Sequence, residues 1–248
     1  MNYHWNWHIF WEVSPDGVHT YWDTLLAGTA WTLATALSAW VIALVLGLAI
    51  GTVRTLPNRL AVAVGNAYVE LFRNVPLLVQ MFLWYFVMPE LLPEQAGAWL
   101  KAMPDAAFFT SVLALAFFTS ARVAVQVSAG IEALPRGQAI AATALGLTLA
   151  QNYRYVMLPV ALRLIVPMLT SEFLNIIKNS SVALTIGLIE LTASARAIQE
   201  FSFQVFEAFS AATVIYIVVN LCVAYLMQRL EKKVAIPGFI AGGARGGA

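Results

Sequence analysis

The sequence predicts an all-α polytopic membrane protein with five transmembrane helices, and two observations carry that reading. Of the 248 residues, 60% are hydrophobic and 11% charged, with a mean hydropathy of +0.76. A soluble domain carries roughly a quarter charged residues. In addition, five stretches reach the ~20 mostly apolar residues that a membrane-crossing helix needs. The net charge of +1 offers no electrostatic footprint for nucleic acid.

Residues 1–23 contain no Lys or Arg and so lack the positive start of a cleavable signal peptide. They are rich in amphipathic rings, Trp5, Trp7, Trp11, Tyr21 and Trp22, and read as an exposed or interfacial segment. His4, His8 and His19 do not have the spacing of a metal site, so no metal ligands are expected. The membrane domain covers 24–232. Its first span is 24–53, where Gly28, Ala30, Ala34, Gly47 and Gly51 let a neighbouring helix come close, and Arg54, Pro57, Asn58 and Arg59 end it. The second is 60–88, interrupted by Glu70, Arg73, Asn74 and Pro76. Pro76 lacks a backbone donor, which a span tolerates only where protein or a cavity satisfies the freed carbonyl. A proline-rich connection, 89–105, leads to the third span, 106–129; the fourth is 156–177 and the fifth 206–227. Residues 233–248 form a tail whose Gly- and Ala-rich end, 238–248, reads as disordered. The single cysteine, Cys222, permits no intrachain disulfide and reads as a small buried hydrophobe.

Orientation follows from Lys and Arg in the short loops. With the N-terminus outside, the outer segments hold three (Lys101, Lys178, Arg196) and the inner ones eight (Arg54, Arg59, Arg136, Arg154, Arg229, Lys232, Lys233, Arg245). An N-out, C-in chain therefore satisfies the rule, and its odd span number excludes a fold built from two equal internal halves.

Between spans three and four lies a cytoplasmic loop, 133–155. Pro135 and Gly137 bracket a turn, 138–144 is rich in good helix formers, and Gly146 is placed to end the helix. A helix so short is marginal alone in water and must dock on something. Arg136, Gln151, Asn152 and Arg154 suit a groove on a partner protein; the alternative is a helix lying on its own membrane domain. At 100° per residue, Leu162, Ile165, Val166, Leu169, Phe173, Ile176 and Ile177 of span four share an arc of roughly 120°. Ser171, Glu172, Asn175, Lys178 and Asn179 lie opposite, with Arg163 at the edge. Ionisable groups inside a span are costly, so this face lines either a wet pathway or a protein interface. Glu172 and Lys178 are candidates for the pathway, or else members of an ion pair, with each other or across helices, that fixes packing. Arg73, Asn74 and Pro76 either meet that face across a cavity, or Arg73 pairs with Glu70 three residues earlier. Asn66, Gln80, Arg122 and Gln126 are further polar residues of the same kind.

No catalytic constellation is present. The chain has no G-x-x-x-x-G-K-[ST], H-E-x-x-H, C-x-x-C or G-x-S-x-G, so any ATP that drives transport is bound and hydrolysed by another chain. From the residues alone, an ATP-driven transport subunit, a channel or ion-coupled carrier for a small polar solute, and a membrane scaffold with a docking helix all stand.

Two runs narrow the choice. Arg136-Gly137-Gln138-Ala139-Ile140-Ala141-Ala142, followed by Ala144-Leu145-Gly146-Leu147-Thr148, Gln151, Tyr155-Val156, Leu158-Pro159, Arg163, Pro167 and Lys178-Asn179-Ser180-Ser181, resembles the loop signature of ABC importer permeases for polar amino acids. Residues 70–80, Glu-Leu-Phe-Arg-Asn-Val-Pro-Leu-Leu-Val-Gln, are similar to that family's second-span signature. Asn74, Thr170-Ser171-Glu172 and the 89–93 connection look most like the glutamate/aspartate branch. The resemblance implies a type I importer permease fold in a bacterial inner membrane, with a periplasmic N-terminus and a cytoplasmic C-terminus. Implied partners are lipid, a second permease subunit, two cytoplasmic ATPases carrying ATP and Mg, and a periplasmic solute-binding protein. It implies that Arg136, Gly137, Gln138, Ala141, Ala142, Leu145 and Gly146 couple to the ATPase. The pathway candidates beside it are Arg73, Pro76, Glu172, Asn175, Lys178 and Ser181. Ile140 departs from the family's usual Glu, removing one ionic contact and making the docking more apolar.

Overall fold

The structure, a computed structural model, describes residues 3–234. The expected disordered end at 238–248, with Arg245, lies outside the described residues. Among those described the chain is helical almost throughout, and its extended pairing is an isolated antiparallel bridge between Val13 and Thr20.

A 3₁₀ turn (Trp7–Trp11) precedes α1 (Tyr21–Val53). The helix starts three residues before the expected 24 because Thr20 and Asp23 form a capping box: the Thr20 hydroxyl accepts the Asp23 N–H, and Asp23 Oδ2 accepts the Thr20 N–H. Asn58 caps α2 (Arg59–Asn74) by accepting the N–H groups of Leu60 and Ala61. The second span is not one helix: α2 ends at Asn74 and α3 (Leu77–Leu91) begins after Pro76. Pro76 has no N–H to donate and steers Val75 away from helical dihedrals. The Val75 carbonyl, beyond the last residue of α2, accepts from the Gln80 side-chain amide at 3.0 Å.

Inside the expected 89–105 connection lies a further helix, α4 (Glu94–Ala102), followed by α5 (Ala106–Glu132) and the loop helix α6 (Arg136–Ala144). A short turn (Leu149–Asn152) and a π turn (Tyr153–Met157) lead into α7 (Leu158–Asn179), continued by a 3₁₀ turn (Ser180–Ile186). The fourth span thus starts seven residues before the expected 156. A helix the hydropathy reading missed, α8 (Leu191–Ser202), precedes α9 (Val205–Val234). Among the described residues four runs suffice to cross a membrane, α1, α5, Leu149–Ile186 and α9, and α2 with α3 supplies a fifth as a broken span. The π turns have a shared cause. Each contains the residue four before a proline, Tyr85 before Pro89 and Tyr155 before Pro159, whose carbonyl an α-helical proline ring would strike.

The chain forms two compact units. One comprises residues up to 41, 75–116 and 175–222. Its core packs Ile9, Phe10, Tyr21 and Leu25 against Leu191, Ala195, Ile198, Ala208 and Ala212. Tyr3 and the Asn6 N–H donate to the buried Glu207, fastening the N-terminal segment to the start of α9. Glu190 is fully buried at the N-cap of α8, where it accepts from the N–H groups of Thr192 and Ala193 and from the Tyr216 hydroxyl. Burial pushes its carboxyl above the usual range, and those donors oppose the shift.

The other unit comprises 42–74, 117–174 and 223 onward. There α1 lies against α5 through glycines. A Cβ on Gly51 would stand 2.6 Å from Val127 Cβ and 2.8 Å from the Ala124 carbonyl oxygen. Gly51→Ala is therefore expected to cost about 1–3 kcal/mol by overpacking, read as a lower thermal unfolding midpoint in detergent; an unchanged midpoint would contradict the close approach. Arg54 closes the same end, donating to Asn66 Oδ1 and Ser128 Oγ, both at 2.8 Å. Cys222 corrects an expectation: it is exposed on α9, a helix that presents most of its apolar surface outward.

Candidate functional site

The loop helix α6 starts at Arg136 after an N-cap Pro135, whose fixed φ suits a helix entry, and stops through a left-handed glycine. Gly146 has φ +84°, its N–H reaches the Thr143 carbonyl, and the Leu147 N–H reaches the Ala142 carbonyl. That pair of bonds is a Schellman motif, and it makes the stop sharp. Two residues later a second box, Thr148 with Gln151, starts the next helical run. The T-x-x-Q spacing was available in the sequence, and Gln151 serves as that cap while staying exposed. Asn152 is likewise internal: it is buried and its amide donates to the Ala139 carbonyl at 3.1 Å. The buried Tyr153 donates its hydroxyl to the Thr55 carbonyl at 2.7 Å.

These bonds turn Ala142 inward and leave the other side of the loop bare. Arg136, Gly137, Ala141, Leu145 and Gly146 are exposed, and Gln138 is half-buried. Ile140 is 68% exposed and Leu145 82%. A pinned helix that shows two large aliphatic side chains to water is a candidate contact surface. Of the seven coupling candidates, Ala142 and the Oε1 end of Gln138 face the chain's own interior.

The polar residues of the spans divide differently. Along α7 the buried positions are Ala161, Ile165, Leu169, Thr170, Glu172, Ile176 and Ile177, so most of the apolar arc packs within the protein. Arg163, Pro167, Ser171 and Lys178 are exposed. Glu172 sits on the buried stripe because α5 supplies its partners. Arg122 Nε donates to Glu172 Oε2 at 2.8 Å, and Gln126 Nε2 donates to Oε1 at 3.1 Å. Arg122 and Gln126, four residues apart on one helix face, were secondary candidates, and the structure brings both to Glu172. The Glu172–Lys178 pair does not form. Glu70 and Arg73 are both exposed and, among the described residues, do not pair. Pro76 is exposed at the break, Asn175 half-buried, and Ser181 donates to the Lys178 carbonyl at 2.7 Å. In hydrocarbon the exposed Arg163, Ser171 and Lys178 would be expensive, so this face calls for water or another protein.

A cavity of about 600 Å³ is lined by Trp84, Phe86, Trp99, Phe109 and Leu113, with the Glu90–Lys101 pair at 2.5 Å among its polar groups. It contains none of the candidate pathway residues. Among the described residues no cluster of His, Cys, Asp or Glu could hold a metal.

Residues 24–236 match the family described as binding-protein-dependent transport system inner membrane component. The glutamate/aspartate import permease protein GltJ of Escherichia coli (strain K12) is 48% identical over 245 residues, covering 98% of this chain and all of the relative. The probable glutamine ABC transporter permease protein GlnM of Bacillus subtilis (strain 168) is 33% identical, covering 81% of this chain and 90% of that protein. Among solved structures, an amino acid ABC transporter with histidines matches with a TM-score of 0.73 and 34% identity, over 86% of this chain and 95% of that one.

Proposed function

This chain belongs to the family of binding-protein-dependent transport system inner membrane components, and from that premise we propose that it is the permease of an ATP-driven importer of glutamate and aspartate. It is a transport subunit and not an enzyme. The observation that carries the coupling mechanism is α6: a helix anchored through Ala142, Asn152 and Tyr153 that exposes Ile140 and Leu145, on a chain without a nucleotide cradle. The likeness to the glutamate/aspartate permease carries the substrate.

In this reading the protein lies in a bacterial inner membrane with its N-terminus periplasmic, beside a second permease subunit. Two cytoplasmic ATPases hold ATP and Mg, and a periplasmic binding protein delivers the amino acid. ATPase closure pushes on Arg136, Gly137, Gln138, Ala141, Leu145 and Gly146. Because Asn152 and Tyr153 tie α6 to the end of α1, the push is passed on rather than absorbed by a loose loop. An anionic amino acid suits the exposed cations Arg73, Arg163 and Lys178, and Arg122 neutralises the charge of Glu172 that would oppose it.

Reconstitution with the ATPase, the second permease and the binding protein tests the reading. Expected are hydrolysis stimulated by the liganded binding protein and glutamate uptake that requires ATP. Uptake that persists without nucleotide would overturn it in favour of a channel or ion-coupled carrier. Lys178→Ala is expected to lower glutamate uptake at least tenfold with the subunit still assembled, about 1.4 kcal/mol of lost interaction; unchanged uptake would remove Lys178 from the pathway.

A further inference from the structure

A chain of aromatic rings joins the starts of two membrane-crossing helices. Phe206, in the first turn of α9, lies 4.7 Å from the Tyr3 ring, Tyr3 lies 5.1 Å from Trp5, and Trp5 stacks on Trp7 at 5.4 Å with the planes 3° apart. Trp7 reaches Phe10 at 6.3 Å, and Phe10 reaches Trp22, in the first turn of α1, at 6.4 Å. All of these rings belong to one unit. They are held from beneath: Phe10 is buried in the core, and the buried Glu207 accepts the Tyr3 hydroxyl and the Asn6 N–H.

The other side of the ring chain is bare. Trp5, Trp7, Trp22 and Phe206 are exposed, as is Trp11 at 72%. At the turn between α8 and α9, Phe203 is 81% exposed and holds φ +61°. A left-handed backbone strains a residue that carries a Cβ, and a bare phenyl ring is costly in water, so a ring kept there points to something outside the chain that receives it. The composition of the patch says what that is. Residues 3–11 and 201–206 contain no Asp, Glu, Lys or Arg, whereas the rings carry indole N–H and phenol O–H groups and stand among His4, Asn6, His8 and Gln204. A surface that is apolar in bulk and polar at its tips suits the layer between hydrocarbon and water. Its depth is set as well. Since α1 and α9 are long and apolar enough to cross the membrane, rings on their first turns lie at the level where the spans emerge. From Phe206 the outward apolar surface continues along α9 through Phe209, Val214 and Ile217. A soluble partner that came and went would leave the rings in water between visits, whereas lipid covers them throughout.

We infer that the N-terminal segment and the α8–α9 turn form one lipid-facing belt, half immersed in the phospholipid headgroup layer, that fixes the first turns of α1 and α9 against the membrane surface. Composition alone leaves residues 1–23 either exposed or interfacial. The ring chain and its anchor at Glu207 decide between the two, and they add the turn at Phe203, which composition does not connect to the N-terminus. The position of the belt depends on the spans alone, whatever solute crosses.

The single cysteine makes the test direct. In a Cys222→Ser background, Trp11→Cys and Phe203→Cys each carry one nitroxide label, and neither position belongs to the ring chain. The full transporter is placed in bilayer discs of phosphatidylethanolamine and phosphatidylglycerol, and each label's collisions are measured with oxygen, which concentrates in hydrocarbon, and with a nickel chelate, which stays in water. Oxygen is expected to relax both labels several-fold more than the chelate does. Adding Trp5→Ala, Trp7→Ala, which cuts the ring chain at its middle, should shift the label at residue 11 toward the chelate and leave that at residue 203 in place. Labels that collide mainly with the chelate overturn the belt by putting it in water. Labels shielded from both reagents overturn it by putting a protein there, the binding protein if the shielding goes when that protein is left out and the second permease if it stays. A label at residue 11 that the double Trp variant leaves unmoved overturns the ring chain as what holds the segment in lipid. If Trp11→Cys fails to accumulate, the label at residue 203 decides between lipid, water and protein alone.

Discussion

Gly146→Asp is expected to cut ATP-driven glutamate uptake at least a hundredfold while the permease still accumulates in the membrane. The substitution is tolerable for the fold. A side chain at Gly146 points into open space, with no atom within 4 Å of a Cβ. The left-handed dihedral costs Asp about 1–2 kcal/mol, less than for most residues because its short polar side chain bonds locally. Docking fares worse. Burying Ile140 and Leu145 against an ATPase supplies about 1.5–3 kcal/mol each, and an unpaired carboxylate carried into that contact costs several kcal/mol. Each 1.4 kcal/mol is tenfold, so a loss of about 3 kcal/mol accounts for the hundredfold fall. Gly146→Asn separates the causes, since Asn keeps the left-handed preference without the charge and should retain most of the uptake. Normal transport by Gly146→Asp would sink the docking role; equal failure of both variants would assign the defect to backbone strain.

The spans were legible because apolar length and charge deficit are local properties of the chain. So was α6, whose Pro and Gly punctuation reports its own ends, although its start at Arg136 rather than 138 shows Pro135 acting as the entry and not as half of a turn. The break at Pro76 was visible as a polar interruption, but its completeness depends on Gln80 reaching back to the Val75 carbonyl, which hydropathy does not report. The helix α8 was missed because half of its residues are polar and its ordering comes from outside. Glu190 caps it, and Leu191, Ala195 and Ile198 bury against the N-terminal segment and α9.

The site was legible in a more restricted sense. Angular bookkeeping placed Glu172 on a polar face with Lys178, yet the helix turns Glu172 inward with Ile165 and Ile176 and leaves Lys178 exposed. Which cation would meet Glu172 was not determined by its own helix. Several arginines and a lysine competed, and the packing of α5 on α7, where Gly130 would clash with Ile165 if it carried a Cβ, selects Arg122. Glu207, invisible as a site because it stands alone at the start of a span, takes its partners from Tyr3 and Asn6 some 200 residues earlier.

That selection makes the pair a strut, and its removal has the second large effect expected. Arg122→Leu should reduce accumulation of the permease more than Glu172→Leu does. The Glu172 side chain is 8% exposed and that of Arg122 42% exposed. Without Arg122 a carboxylate is stranded in a dry site, whereas without Glu172 the guanidinium still lies against the Phe118 ring and bends to a wetter place. Breaking a fully buried pair from one side costs about 3–5 kcal/mol, and with Arg122 42% exposed the cost here lies toward the lower end, still a sizeable part of the 5–15 kcal/mol that holds a domain together. The double variant Arg122→Leu, Glu172→Leu removes both charges, leaves Gln126 to be satisfied by water or backbone, and should recover most of the accumulation, with a coupling of about 1–3 kcal/mol in the cycle. Uptake per permease separates the strut from the pathway. Both carboxylate oxygens are already occupied by Arg122 and Gln126, leaving Glu172 poorly placed to hold a passing solute, so uptake should return along with accumulation. Accumulation that returns without uptake would put Glu172 back among the groups that the substrate meets.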